Sequence, residues 1–130
     1  MNSFLFDTCF LIDLKREMRR SPGKAHQFLQ QNPTARPCLS WTVVGEFTEG
    51  FGDIRHLACA LMLARFDIVC MNEDTAHHYA ITTRLLRSQN QLIGANDHWI
   101  AAAALSHCMP PVTNNTNHFS RIPGLSVISY

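Results

Sequence analysis

The chain has 130 residues, 46% of them apolar and 16% charged, with a formal charge of +1 at pH 7. Such a length and composition predict one globular domain over residues 1–130 and exclude a disordered or low-complexity protein. The small net charge excludes a protein that coats nucleic acid through its global field, and no apolar stretch reaches the roughly 18 residues that span a bilayer, so any nucleic-acid contact must be local and no membrane partner is expected.

The apolar run at residues 3–6 stops on Asp7. A continuous run of strand length predicts a strand buried on both faces, as in the middle of a parallel sheet. Asp7 then stands at the strand's C-terminal end, the edge where open α/β sheets bind ligands, although it also suits the N-cap of the following helix. Residues 10–20 read as that helix, with Phe10, Leu11, Leu14 and Met18 on the core side. Ser21-Pro22-Gly23 breaks it, and Pro22 opens a second helix that carries Ala25, Phe28 and Leu29 to about Gln31. A loop over residues 32–37 leads to a short strand at residues 38–40.

Ser40 or Thr42 can cap a third helix through Val43, Val44, Phe47 and Phe51. Glu46 falls just over one turn into it, the second acid beyond a strand end. Glu49 lies on a neighbouring part of the same face, and Glu46 is preferred for its nearness to the strand. After Gly50 and Gly52, residues 54–65 read as a helix with Leu57, Ala58, Leu61, Met62 and Ala64 inward, and residues 66–71 as a strand. Glu73 and Asp74 suit the first turn of a helix whose stripe is Ala76, Tyr79, Ala80, Thr83 and Leu86. Adjacent His77 and His78 point in different directions and do not make the i, i+4 pair of a helical metal site.

A polar loop over residues 89–94 precedes a helix at 97–107, opened by Asn96 or Asp97, with four alanines at positions 101–104 small enough to let it approach a sheet closely. Asp97 points toward the sheet edge, with a capping role as the alternative. Residues 112–113 form a short strand, residues 114–119 a turn-rich polar segment, and residues 125–129 a last strand. Alternating strands and helices predict an α/β fold, one three-layer domain with a mostly parallel sheet between helices. Five cysteines, an odd number without a Cys-x-x-Cys pair, predict reduced and mostly buried thiols. The N-terminus lacks the pattern of a secretory leader, so the cytoplasm is the expected location.

Asp7, Glu46 and Asp97 therefore come from separate elements that can converge at one sheet edge. Three close carboxylates repel unless protonated or bridged by a cation, and an oxygen-only cluster suits a hard divalent ion. The helical segment over residues 15–24 is basic, with Arg16, Arg19 and Arg20 on a face that is either solvated or contacts phosphate.

Phe-Leu-Phe-Asp-Thr-Cys at the start, Ser-Trp-Thr-Val-Val-Gly-Glu-Phe-Thr-Glu-Gly at 40–50, Ile-Gly-Ala-Asn-Asp-His-Trp-Ile-Ala-Ala-Ala-Ala-Leu at 93–105 and Val-Thr-Asn-Asn-Thr-Asn-His-Phe at 112–119 resemble the PIN-domain ribonucleases. More narrowly, they resemble the VapC-type toxins of bacterial and archaeal toxin–antitoxin pairs. The resemblance covers nearly the whole chain, and it implies a PIN-like fold and an endoribonuclease dependent on Mg²⁺ or Mn²⁺. It further implies an RNA substrate, often transfer RNA, a cognate antitoxin that blocks cleavage, and a homodimer. By match, Asp7, Glu46 and Asp97 are its catalytic and metal-binding triad. Thr113, Asn114, Asn115 and His118 are candidate site-lining residues, and Arg16, Arg19 and Arg20 candidate contacts to RNA or antitoxin. Many relatives hold a fourth acid where His118 stands, so the alternative is a catalytically weakened PIN-like module that binds RNA or protein. Receiver-like and haloacid-dehalogenase-type domains fit poorly, because their late lysine is missing: the only lysines are Lys15 and Lys24.

Overall fold

The computed structural model describes residues 2–130. Among them, four parallel strands and seven helices follow the order β1 (Ser3–Phe6), α1 (Thr8–Arg19), α2 (Lys24–Gln31), β2 (Arg36–Leu39), α3 (Trp41–Glu49), α4 (Leu57–Leu63), β3 (Asp67–Ile68), α5 (Glu73–Ser88), α6 (Ala95–Ser106), β4 (Pro111–Val112) and α7 (Thr116–Phe119). The sheet order is β3-β2-β1-β4, so the first strand lies inside the sheet as its apolar run predicts. The chain moves from β1 out through β2 to β3 and then returns to the far side of β1. The strand order therefore reverses between β1 and β4, and the crevice beyond their C-terminal ends is where such sheets bind ligands.

The two faces of β1 are buried differently. Phe4 and Phe6, two residues apart, share one face and meet Phe28 of α2 with ring centroids 5.5 and 5.8 Å away; Phe6 also packs on Phe10 and Phe66. On α6, Ala101, Ala102, Ala103 and Ala104 are all buried, as their small size allows. No helix of the described residues is long and apolar enough to cross a membrane.

Several boundaries differ from the sequence reading, each for a local reason. Pro22 lies outside α2: Gly23 is the N-cap, and the missing cap is supplied by Glu17 of α1, which accepts the backbone N–H groups of Gly23, Ala25 and His26 at 2.7, 3.0 and 2.9 Å. Strand β2 starts earlier, at Arg36, and takes Pro37 opposite Phe4. The expected helix at 54–65 shrinks to α4, with Cys59, Met62 and Leu63 inward, while Leu57 and Leu61 are 71% and 61% exposed. Met18 of α1 is likewise exposed at 66%. On α5 the buried face is Thr75, Thr82, Thr83 and Leu86 rather than the alanines at 76 and 80. Two of these hydroxyls are satisfied within the helix layer, Thr82 by the carbonyl of His78 at 2.8 Å and Thr75 by Ser106 at 3.1 Å, which lets a polar side chain face inward.

The strand expected at 66–71 is the two-residue edge strand β3, tied to β2 by an ion pair of Arg36 and Asp67 at 2.7 Å. The final strand is reduced to one parallel bridge, Val112 with Ile128, because β4 itself has only two residues to offer. His118 and Phe119 belong to the short helix α7 rather than to a polar loop. Only Cys38 and Cys59 are buried; Cys9 is half-buried, Cys70 and Cys108 are exposed, and all five are free thiols.

The four consecutive buried alanines encircle α6 and leave no room for a larger side chain. Ala103→Leu is expected to destabilise the protein by about 1–3 kcal/mol through overpacking, measured as a lower urea midpoint. Ala80→Leu, on the exposed flank of α5, should stay within about 0.5 kcal/mol of the parent.

Candidate functional site

The register of β1 against β4 places Leu5 beside Pro111 and Phe6 beside Val112, so the next residues, Asp7 and Thr113, leave the sheet side by side. Both are buried, Asp7 at 6% exposure and Thr113 at 0%. The Thr113 hydroxyl donates to Asp7 Oδ2 at 2.7 Å and accepts the backbone N–H of Asn115 at 2.9 Å. Asp7 Oδ1 accepts the N–H of Thr8 at 2.8 Å, so this residue is at once the N-cap of α1 and the acid at the strand end.

Glu46 comes from α3, which Ser40 caps at the end of β2. Its two oxygens accept from the Thr8 hydroxyl at 2.8 Å and from the Asn96 amide at 3.2 Å, whereas Glu49 lies exposed on the same helix. Asp97 arrives in the first turn of α6. It is not the cap: Gly94 holds that position with no side-chain bond, which leaves the Asp97 carboxylate for the site. Asp97 Oδ2 accepts from Asn115 Nδ2 at 3.4 Å and lies 3.0 Å from His118 Nδ1. His118 therefore turns its ring toward the acids.

The three acids are thus joined in one polar network, Glu46 to Asp7 through Thr8, and Asp7 to Asp97 through Thr113 and Asn115. Burial raises the Asp7 carboxyl above its ordinary value and the charge of Asp97 pushes the same way, while hydrogen bonds from Thr113 and Thr8 oppose the shift only in part. Among the described residues no lysine or arginine pairs with Asp7, Glu46 or Asp97, and the one ion-pair partner of this set is His118 on Asp97. No three His, Cys, Asp or Glu side chains among the described residues are gathered closely enough to ligate one ion together. The donor chemistry nevertheless suits a divalent cation: Asp7, Glu46 and Asp97 supply carboxylate oxygens, no lysine or arginine pairs with them, and they stand at the ligand-binding edge of the sheet.

Asn114 belongs to the support of the site rather than to its floor. Its amide donates to Asp13 Oδ2 at 3.2 Å, and the Tyr130 hydroxyl donates to that oxygen at 2.6 Å. Arg16 pairs with the same Asp13 at 3.0 Å. Lys15 and Arg19 instead rim an apolar groove of about 390 Å³ between α1, α3 and α4, walled by Met18, Phe47, Phe51 and Leu61, and Arg20 is exposed at the end of α1. Thr8, Cys9, Asp13, Asn96 and Tyr130 were not singled out from the sequence as site residues. Thr8 and Asn96 are each next to a triad acid, which is the signal that could have marked them; Asp13 and Tyr130 meet only through folding.

A family model described as PIN domain matches residues 4–125. Ribonuclease VapC1 of Haemophilus influenzae strain R2866 is 31% identical over 127 residues, covering 94% of this chain and 93% of the relative. Among solved structures, VapBC-1 from nontypeable Haemophilus influenzae superposes with a TM-score of 0.78 at 28% identity, over 98% of this chain and 96% of that one. VapBC2 from Rickettsia felis, bound to a DNA fragment from its promoter, superposes with a TM-score of 0.82 at 21% identity over 98% of both chains, a likeness of fold.

The raised Asp7 has a consequence for stability. An acid whose pKa is higher in the folded state contributes stability below its unfolded value, near 3.8, that is lost as pH rises through the folded value. In metal-free buffer, Asp7→Asn is therefore expected to melt at the same or higher temperature than the parent at neutral pH, with a flatter decline from acid to neutral pH. Thermal scans across that range check it, and an unaltered decline in the variant would assign the effect to other groups.

Proposed function

The chain belongs to the PIN domain family, and from that premise we propose that it is a metal-dependent endoribonuclease, the toxin of a toxin–antitoxin pair, hydrolysing RNA phosphodiester bonds in the cytoplasm. The observation that carries this reading is the hydrogen-bonded network at the switch point of the sheet, in which Asp7 is linked to Asp97 through Thr113 and Asn115 and to Glu46 through Thr8, with no lysine or arginine among them. The likeness to a curated ribonuclease over nearly the full length supports it.

Asp7, Asp97 and Glu46 are the residues that would hold Mg²⁺ or Mn²⁺. When bound, such an ion supplies charge neutralisation at the phosphoryl oxygens and an acidified water. The protein's own contribution is positional. Thr113 fixes the rotamer of Asp7, Thr8 and Asn96 orient Glu46 from two sides, and Asn115 steadies Asp97 while its backbone N–H holds the Thr113 hydroxyl. His118, 3.0 Å from Asp97, occupies the place of a fourth acid. With three formal carboxylates, a second divalent ion would bring four positive charges against three negative ones, so one ion is expected to bind well without RNA.

For the protein partner we assign the antitoxin to the apolar groove between α1, α3 and α4. Its walls are exposed hydrocarbon and its rim carries Lys15, Arg19 and Arg65, which suits a segment with apolar anchors and acidic flanks. The similar structures that are toxin–antitoxin complexes support a partner of this kind. The family likeness is the ground on which we propose a homodimer.

Incubating the purified protein with total RNA, with and without Mn²⁺, and mapping new ends tests the activity. New ends are expected only with the ion, and Asp7→Asn or Asp97→Asn should remove them; full cleavage by either variant would sink the triad. Thr113→Val, which frees Asp7, should lower ion affinity or activity by roughly 10–100-fold.

Imidazole is a softer ligand than carboxylate, so activity is expected to be higher with Mn²⁺ than with Mg²⁺, and His118→Asp should bind Mg²⁺ more tightly. Calorimetric titration of the parent, His118→Ala and His118→Asp decides this; three coincident curves for both ions would remove His118 from the metal site.

A further inference from the structure

Two basic surfaces lie outside the acidic network, and they differ in what surrounds the charge. On α1, Arg16 is engaged by Asp13 and Lys15 and Arg19 face an apolar groove. On the other side, Arg84 and Arg87 of α5 and Arg121 beyond α7 are all exposed, and among the described residues none of the three pairs with a carboxylate. The acids of α5, Glu73 and Asp74, sit at its opposite end, about 15 Å or more along the helix axis from Arg84.

Arg121 contacts the short segment between α5 and α6, Arg87 lies two residues before that segment, and Arg84 shares a cleft with Arg87. Arg121 Nη1 donates to the carbonyls of Gln91 and Leu92 at 3.4 Å each, and its other guanidinium donors make no bond among the described residues. Arg84 and Arg87 line a cleft of about 680 Å³ that also takes in Tyr79, Thr83 and Ser88. The Tyr79 ring stacks at 3.9 Å on Trp99, which lies two residues beyond Asp97 on α6. The segment between α5 and α6 leads directly into Asn96 and Asp97, so Arg121 is fixed on the stretch that enters the helix of Asp97, and Arg87 lies just before it in the chain.

A site built of acids repels a polyanion, and its substrate must be held by cations set outside the acids. We propose that Arg84, Arg87 and Arg121 form a phosphate-binding rim that guides single-stranded RNA toward Asp97. This rests on the ribonuclease reading above and adds the residues that bind its substrate. The guanidinium fork matches phosphate oxygens in pairs, and unpaired arginines keep that capacity. A position in the last turn of α5 accounts for Arg87 through the helix dipole but not for Arg84, a turn earlier, or for Arg121, from another element. A second copy of the chain is a poorer occupant, because a two-fold contact centred here would set the same cations against each other.

The test is anisotropy of a labelled short mixed-sequence RNA in EDTA across a range of salt, for the parent, Arg84→Gln/Arg87→Gln, Arg121→Gln and Arg16→Gln/Arg19→Gln. At roughly 0.7 per phosphate contact on a single strand, the salt slope should fall by about 1.4 in the α5 pair and about 0.7 in Arg121→Gln, and stay unchanged in the α1 pair. Since Arg121 also clamps a loop, Arg121→Lys should recover the slope if charge is what matters. With the divalent ion present, the α5 pair should raise KM several-fold at unchanged kcat. An unchanged slope in the α5 pair overturns the rim, as does a shift from dimer to monomer in sedimentation at unchanged slope, which would make this face a contact between copies. If the parent binds with the expected slopes yet cleaves no RNA, the rim stands and the ribonuclease reading falls. Cleavage with no change in slope or KM has the opposite meaning.

Discussion

The hydrogen bond from Thr113 to Asp7 is the constraint on which the rest of the site depends. It joins the residues that leave β1 and β4 side by side, and it exists only because the pairing of Phe6 with Val112 is in that register. A slip of one residue would turn every side chain of β4 to the opposite face and take the hydroxyl away from the acid. The same hydroxyl receives the N–H of Asn115, so the loop that follows β4 is shaped by the acid of β1. Burial makes the bond matter, since a buried carboxylate without donors would be far more costly than one held by Thr113 and Thr8.

The run of four alanines that encircles α6 is the mechanical counterpart of that bond. With Ala101 to Ala104 buried, the helix sits deep in the molecule, and its first turn is delivered to the sheet edge with Asn96 and Asp97 still available. The cap at Gly94 is a backbone turn with no side-chain bond, which spares Asp97 from a capping duty. Asp7 carries both duties, and its two oxygens divide them: one caps α1 and the other meets Thr113.

Charge is segregated in a way that the formal total of +1 conceals. Asp7, Glu46 and Asp97 are linked at the switch point without a lysine or arginine among them, while two groups of basic residues lie outside with different neighbours. One group rims hydrocarbon, a surface suited to protein. The other faces water beside the helix of Asp97, a surface suited to phosphate. Segregation leaves a substrate polyanion attracted at the margin of a site whose floor is negative until a cation fills it.

Much of this was legible in the chain itself, and the reason is local. The run that ends on Asp7, the cap at Ser40 ahead of Glu46, and the alanines after Asp97 are each contained within about a dozen residues, and periodicity and capping chemistry are properties of that scale. The parallel order of strands and helices follows from the same alternation. What only the tertiary structure decided depends on partners far apart in sequence. Leu61 and Met18 carry a helical apolar pattern but wall an open groove, and the threonines of α5 go inward because α6 lies there. Glu46 meets Thr8 and Asn96, 38 and 50 residues away, whereas Glu49 is exposed. The sequence determined on which elements Asp7, Glu46 and Asp97 ride; the register of β1 on β4 and the packing of α6 decided how they are linked, because contacts between distant segments leave no periodic trace in the order of residues.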